Sequence, residues 1–360
     1  MDFRADSWIW APPGAGSGWK LERRGVRHGT IRPGTARRLS PREARESWLG
    51  AEPVLLRGAA AVGESGARRS IARTMAMFTR LRDGAELGGE IRRRLAGQRR
   101  FEPAGESVDL GDDREIGKVH ADLHRRGRTL EDLWAKLSRI SLDSRDDSLR
   151  IRFSFGGERL DDWSTDPQRA RAADELAEAV FPECRLLTAH RPAGSLLRRW
   201  TGGRVRYSER IVFSNAPGGG AVFHHDAEDG QLGVAYAQLS GRTAWLALSK
   251  RALAAMVAAK GDPGQALRRL DGHDPALDRL LNRTPSFTRR LVERGALFVL
   301  RAGDVLLLPS HGPDDAAWHS VFALGARPSL AHSYGLFRAE KPATPDCPGL
   351  RARRPRASST

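Results

Sequence analysis

From Arg210 onward the apolar residues come in short runs, none long enough for a core helix. They are Ile211–Phe213, Gly233–Leu239, Ala244–Leu248, Leu297–Leu300, Val305–Leu308, Val321–Leu324 and Leu330–Phe337, separated by glycine, proline and serine. Runs of this length, bounded by turn residues, read as strands, and several in succession point to a β-sandwich or barrel. One stretch interrupts them. Ser249 to about Glu293 is helical in pattern, with a first helix stopped by Gly261, and forms an insert between strands.

Upstream the pattern differs. Residues 1–38 are basic and rich in glycine and proline, and read as irregular. Order begins at Ser40-Pro41-Arg42-Glu43, a capping box with proline at the first helical position, so a helix is expected to about Leu49 with a stop at Gly50. Glu52–Arg57 reads as a short strand. Residues 39–190 are expected to be mainly helical: Ile71–Phe78 and Leu130–Leu137 space apolar residues by three and four. Arg99–Lys118 reads as loop, and Asp166-Pro167 opens a helix from Gln168 to Phe181. Residues 341–360 read as a disordered basic tail.

Composition narrows the function classes. The chain has 360 residues with 40% hydrophobic and 29% charged content, a globular balance. No apolar run is long enough to cross a membrane, the start lacks the pattern of a secretory signal, and two cysteines make no disulfide framework, so a cytoplasmic location is expected. The net charge of +16 permits an acidic partner such as RNA or DNA. Much of the excess sits at the ends, in residues 20–45 and in Arg351, Arg353, Arg354 and Arg356. Basic runs of this kind are ordinarily solvated, so nucleic acid is not the favoured partner.

Within the strand-rich part, Gly218-Gly-Gly-Ala-Val-Phe-His-His-Asp226 carries the chemistry. On a strand, His224 and Asp226 leave the same face while His225 leaves the other. An imidazole and a carboxylate on one face are two-thirds of the 2-His-1-carboxylate triad that holds non-heme Fe(II). His319, in Ala-Trp-His-Ser-Val, is the best third ligand. His311 is a competitor in a turn-like setting; His225 and His332 read as structural. The three glycines are not followed by Lys-Ser/Thr or a helix, which excludes a phosphate loop. They read as backbone passing close to the site's mouth. Trp245 and Trp318 are expected to flank the site.

These residues, with the turn and strand Arg301-Ala-Gly-Asp-Val-Leu-Leu-Leu-Pro309 and the strand Tyr236-Ala-Gln-Leu-Ser-Gly-Arg-Thr-Ala-Trp-Leu246, resemble the JmjC-like branch of the cupin superfamily. Members of that branch are Fe(II)- and 2-oxoglutarate-dependent oxygenases. The resemblance covers roughly residues 36–338. It implies an α+β chain: a double-stranded β-helix (jelly roll) over residues 191–340 with an N-terminal helical region and the helical insert 249–293. It implies His224, Asp226 and His319 as iron ligands, 2-oxoglutarate and dioxygen as cosubstrates, and hydroxylation of an unidentified protein, peptide or small-molecule substrate. It departs from the family at one position. The Gly-x-Lys turn reads Gly241-Arg242-Thr243, so the lysine that usually pairs with the far carboxylate of 2-oxoglutarate is Thr243. Arg327 and Ser329 resemble the Arg-x-Ser pair of other branches and stand as the substitute, with Tyr207 and Thr243 as further pocket contacts; Tyr236 reads rather as core. Two alternatives stay open: a metal-binding cupin that uses no oxoacid, and a non-catalytic basic adaptor on the same fold. The short polar chain after Phe337 favours a monomer.

Overall fold

A computed structural model describes residues 4–8, 18–31, 36–125, 127–157, 166–226, 228–258, 262–272 and 274–339. The C-terminal tail, Gly261 and most of Ala11–Gly18 lie outside these. Among the described residues there are sixteen strands. They are β1 (Arg4–Trp8), β2 (Trp19–Arg23), β3 (Val26–Ile31), β4 (Ala36–Arg38), β5 (Val54–Arg57), β6 (Phe101–Ser107), β7 (Glu115–Arg125), β8 (Arg128–Arg139) and β9 (Leu149–Phe155). Then follow β10 (Val205–Asn215), β11 (Gln231–Ser240), β12 (Arg242–Ser249), β13 (Leu297–Arg301), β14 (Val305–Pro309), β15 (Ala317–Leu324) and β16 (Ser329–Arg338). No described helix is long and apolar enough to cross a membrane.

The strands form one large antiparallel sheet, ordered β4-β1-β5-β14-β11-β16-β10-β9-β8-β7-β6, and a small sheet ordered β13-β12-β15. The small sheet is extended by residues 219–224. Val321 N–H donates to Ala221 C=O (2.9 Å), Ala323 N–H to Gly219 C=O (3.0 Å), and His224 and His319 exchange backbone bonds of 3.0 and 2.8 Å. From β10 to β16 the chain therefore shuttles between the two sheets. Val234, Tyr236, Leu306 and Leu308 of the large sheet meet Trp245, Phe298, Leu300 and Val321 of the small one in a shared core. Alternate residues of each strand can face this core because side chains leave a strand with period two.

Each outer face is covered differently. The helices Pro41–Leu49, Ser65–Arg82, Leu87–Leu95, Pro167–Val180 and Arg191–Thr201 bury their apolar stripes on the large sheet. The first has the expected capping box: Ser40 Oγ accepts from Glu43 N–H and Glu43 accepts from Ser40 N–H. The insert is four helices (Lys250–Ala258, Pro263–Asp271, Pro275–Arg283 and Pro285–Glu293), which pack with the β2–β3 hairpin on the small sheet. The Gly-Asp turn before β14 is fixed by Asp304, buried and accepting from Arg301 N–H (3.0 Å) as well as from the Arg57 side chain.

Two expectations are corrected. Residues 101–107, 115–125, 128–139 and 149–155 are not helix or loop but the strands β6–β9, which extend the large sheet beyond β10, and only 108–114 of the expected Arg99–Lys118 loop lies between strands. Leu130, Leu133, Trp134 and Leu137 have helical spacing, yet β8 lies between β7 and β9 and is buried continuously from Leu133 to Ser138. The apolar spacing thus reflects burial on both faces rather than one helical stripe. The basic N-terminal segment is likewise not wholly irregular: it supplies β1, the β2–β3 hairpin and β4.

Candidate metal centre

The glycine triplet explains how the ligand strand reaches β15. Gly220 has φ +133°, and a Cβ there would stand 2.1 Å from Val321 O. Only glycine fits both the conformation and the approach. Behind the strand, Arg23 of β2 is buried and donates to Ala221 O and to Asn282 Oδ1 (3.0 Å). Asn282, in the third insert helix, also accepts from Phe223 N–H at 2.7 Å. The insert and the hairpin thereby clamp the backbone one residue before His224.

That clamp sets the geometry. His224 and His319 are backbone-paired across two antiparallel strands, so their side chains leave the same face, and Asp226 follows two residues on. The imidazole centroids lie 4.2 Å apart. His224 Nε2 is 3.6 Å from Asp226 Oδ1, and His319 Nε2 is 3.5 Å from Asp226 Oδ2. One ligand atom from each residue falls within 4.8 Å of the others. Among the described residues this is the one such group of three.

The protonation states suit a cation. His224 Nδ1 lies 2.8 Å from Val222 O. A carbonyl only accepts, so Nδ1 carries a proton and Nε2 is the ring nitrogen that faces Asp226. Burial, with His224 beside it, pushes His319 down to about 3, the neighbouring Asp226 acting the other way, so it is neutral near pH 7. Burial works to raise Asp226, but the positive charge that His224, His319, His225 and Arg150 can carry around it outweighs this and holds the carboxyl below its ordinary value. Two imidazole nitrogens and a carboxylate oxygen on one side fit a divalent first-row metal and leave the opposite side to small ligands.

The three ligands line a cavity of about 500 Å³ between the sheets. Its apolar wall is Ile211, Phe213, Val234 and Trp245, with the Trp245 ring 5.2 Å from the His319 ring. Asn215 donates to the Tyr236 hydroxyl at 3.2 Å, so Tyr236 is both core and cavity lining. Glu209 lies on a bulge of β10 with φ +50°, an unfavourable conformation for a non-glycine residue. Burial pushes its carboxyl well up; Arg152 opposes this and Glu228 reinforces it.

The residues expected to bind the oxoacid are dispersed. Arg327 is exposed in the turn between β15 and β16 and does not line the cavity. Thr243 is buried behind the wall, donating to Gln238 Oε1 (2.7 Å) and accepting from Trp245 Nε1 (3.0 Å), so it fixes the Trp245 ring. Ser329 Oγ accepts from Asn215 at 3.4 Å and stands one residue removed from the cavity. Tyr207 points to the helical side of the large sheet, with its ring 5.9 Å from Tyr334, and borders a separate cavity. Of the flanking tryptophans, Trp245 faces the site; Trp318 leaves β15 on the other face, packing in the insert core and against His225. His311 Nε2 is bonded to Trp48 O at 2.7 Å, away from the ligands, and His332 is buried against Cys184.

The cations that do line the cavity come from segments read as irregular or helical. Arg24 belongs to the β2–β3 turn, Arg114 precedes β7, and Arg150 lies on β9. The signal for Arg150 was present in Leu149-Arg-Ile-Arg-Phe-Ser-Phe155, a period-two alternation that marks a strand with one apolar and one cationic face.

No family model matches the sequence, and no curated protein matches it. Among solved structures, the ribosomal oxygenase YcfD from Escherichia coli aligns at 16% identity over 64% of this chain and 41% of that chain, with TM-score 0.26. The same protein in complex with cobalt and succinic acid aligns with TM-score 0.24. A 2OG-Fe(II) oxygenase family oxidoreductase from Burkholderia pseudomallei aligns at 11% identity over 84% of this chain and 92% of that chain, with TM-score 0.32. This chain thus spans less than half the length of the ribosomal oxygenase.

Proposed function

We propose that the chain is an Fe(II)- and 2-oxoglutarate-dependent oxygenase, acting as a hydroxylase on a protein, peptide or small-molecule substrate. Its catalytic part is read as a double-stranded β-helix made of β10–β16 and residues 219–224. The observation that carries the reading is the convergence of His224, Asp226 and His319 on one cavity wall. The sequence resemblance to JmjC-like oxygenases, which rests partly on the same three residues, agrees with it. Bound iron would supply dioxygen activation coupled to decarboxylation of the oxoacid to succinate and CO2. The chain's own residues hold the metal, exclude water along the Ile211, Phe213 and Trp245 wall, and leave room beside the ligands for cosubstrate and substrate.

The test is succinate formation from 2-oxoglutarate under air. It is expected to need added Fe(II) and to vanish in His224→Ala, Asp226→Ala and His319→Ala. Succinate production that persists in all three variants would refute the assignment. One observation favours a second reading, a metal-binding cupin without an oxoacid: Thr243 stands where the family's lysine does. Iron binding with no 2-oxoglutarate binding would select that reading.

A further inference from the structure

A dicarboxylic oxoacid brought to this centre needs a cation for its second carboxylate, because a buried carboxylate without one is costly. Neither sequence candidate supplies it: Thr243 is neutral and committed to Gln238 and Trp245, and Arg327 is in solvent. Four arginines are near enough to consider. Arg24 is spent on Asp146 (3.0 Å) and Gly220 O (2.7 Å). Arg152 faces Glu209 (3.3 Å) and Glu228 (3.8 Å). Arg114 is exposed.

Arg150 differs from all three. It lies on β9 directly across from Phe213 of β10, and cross-strand partners share a face, so it stands beside the cavity's apolar wall. Its Nε donates to Ser138 Oγ at 3.1 Å, which orients the guanidinium; among the described residues its other two nitrogens have no bonded acceptor and no carboxylate within ion-pair distance. Arg150 and Asp226 line the same cavity.

We propose, resting on the oxygenase reading above, that Arg150 anchors the far carboxylate of the oxoacid, a role this chain has moved from the jelly roll to the strand β9 outside it. A guanidinium fork with two free nitrogens matches a carboxylate bidentately, which a Thr243 hydroxyl does not. Ser138 is the positioning residue, since its hydroxyl holds Nε and aims the fork.

The test compares 2-oxoglutarate with 2-oxopentanoate, which has the same length of carbon chain but no second carboxylate. Binding of each to the anaerobic Fe(II) protein is followed by absorption and by tryptophan fluorescence. Wild type is expected to prefer 2-oxoglutarate by about ten- to a hundredfold, as expected for one charge-assisted pair. Arg150→Ala should bring the ratio close to one while leaving 2-oxopentanoate affinity unchanged; Arg150→Lys should restore part of it, and Arg327→Ala none of the loss. An undiminished preference in a folded Arg150→Ala protein would overturn the assignment and leave the oxygenase reading intact. Failure of wild type to bind either oxoacid while holding iron would overturn both.

Discussion

Replacing Gly220 by alanine should lift residues 219–224 off β15 and so separate His224 from His319. A Cβ at this position would lie 2.1 Å from Val321 O and 2.8 Å from Val321 C, and φ is +133°. The conformation alone costs about 1–3 kcal/mol for a non-glycine residue. Relieving the contact needs a shift of roughly 1.4 Å, since non-bonded atoms settle near 3.5 Å. Such a shift would break the bonds Val321 N–H to Ala221 O and Ala323 N–H to Gly219 O, now 2.9 and 3.0 Å. Each is worth about 0.5–1.5 kcal/mol, which brings the total to about 2–6 kcal/mol. Gly218 is the control: its φ is +71° but a Cβ would meet nothing within 4 Å, so Gly218→Ala should cost only about 1–2 kcal/mol. Urea denaturation measures the stability change, and anaerobic Fe(II) titration the site. Gly220→Ala is expected to weaken iron binding about 10- to 100-fold, the usual penalty for disturbing ligand support, whereas Gly218→Ala leaves it nearly unchanged. Equal effects of the two variants would refute the close-approach argument.

Three further outcomes follow from the same structure. Arg23→Met leaves Asn282 Oδ1 and Ala221 O with one buried donor fewer, so it should destabilise by about 1–3 kcal/mol in urea melts. Asn282→Ala should weaken iron binding without touching a ligand, because it frees Phe223 N–H; an unchanged affinity would show that the insert does not position His224. Burial pushes the imidazoles of His28 and His332 down from 6.5 to about 4, Arg23 adding to the shift at His28. Both stay neutral in the fold while the unfolded chain takes up protons, so their contribution is full above pH 6.5 and is lost as pH falls towards 4. The loss is about 1.4 kcal/mol per pH unit for each histidine, and His332→Asn should remove one histidine's share of the acid slope.

The strands after Arg210 and the convergence of His224, Asp226 and His319 were readable in the sequence because both depend on local pattern: period-two faces, turn residues, and a His-x-Asp spacing that forces two side chains onto one side. The arginines that line the cavity were not legible, for a reason that local pattern does not contain. Arg327 and Arg150 are equally plain in the sequence, and only the pairing of β9 with β10 brings the second to the cavity and leaves the first in solvent. The helical reading of Leu130–Leu137 failed in the same way. Its spacing of three and four is real, but β7 and β9 on either side satisfy its backbone and bury both faces. The expected loop Arg99–Lys118 overlaps the start of β7, whose Val119, Ala121 and Leu123 alternate into the core while its other face is open.

Anaerobic Fe(II) titration of the wild-type chain beside Asp226→Ala tests the central claim most directly. One tightly held iron per chain in wild type, lost in the variant and developing a visible absorption band when 2-oxoglutarate is added, is the predicted result. Equal iron binding by both proteins, or none by either, would contradict it.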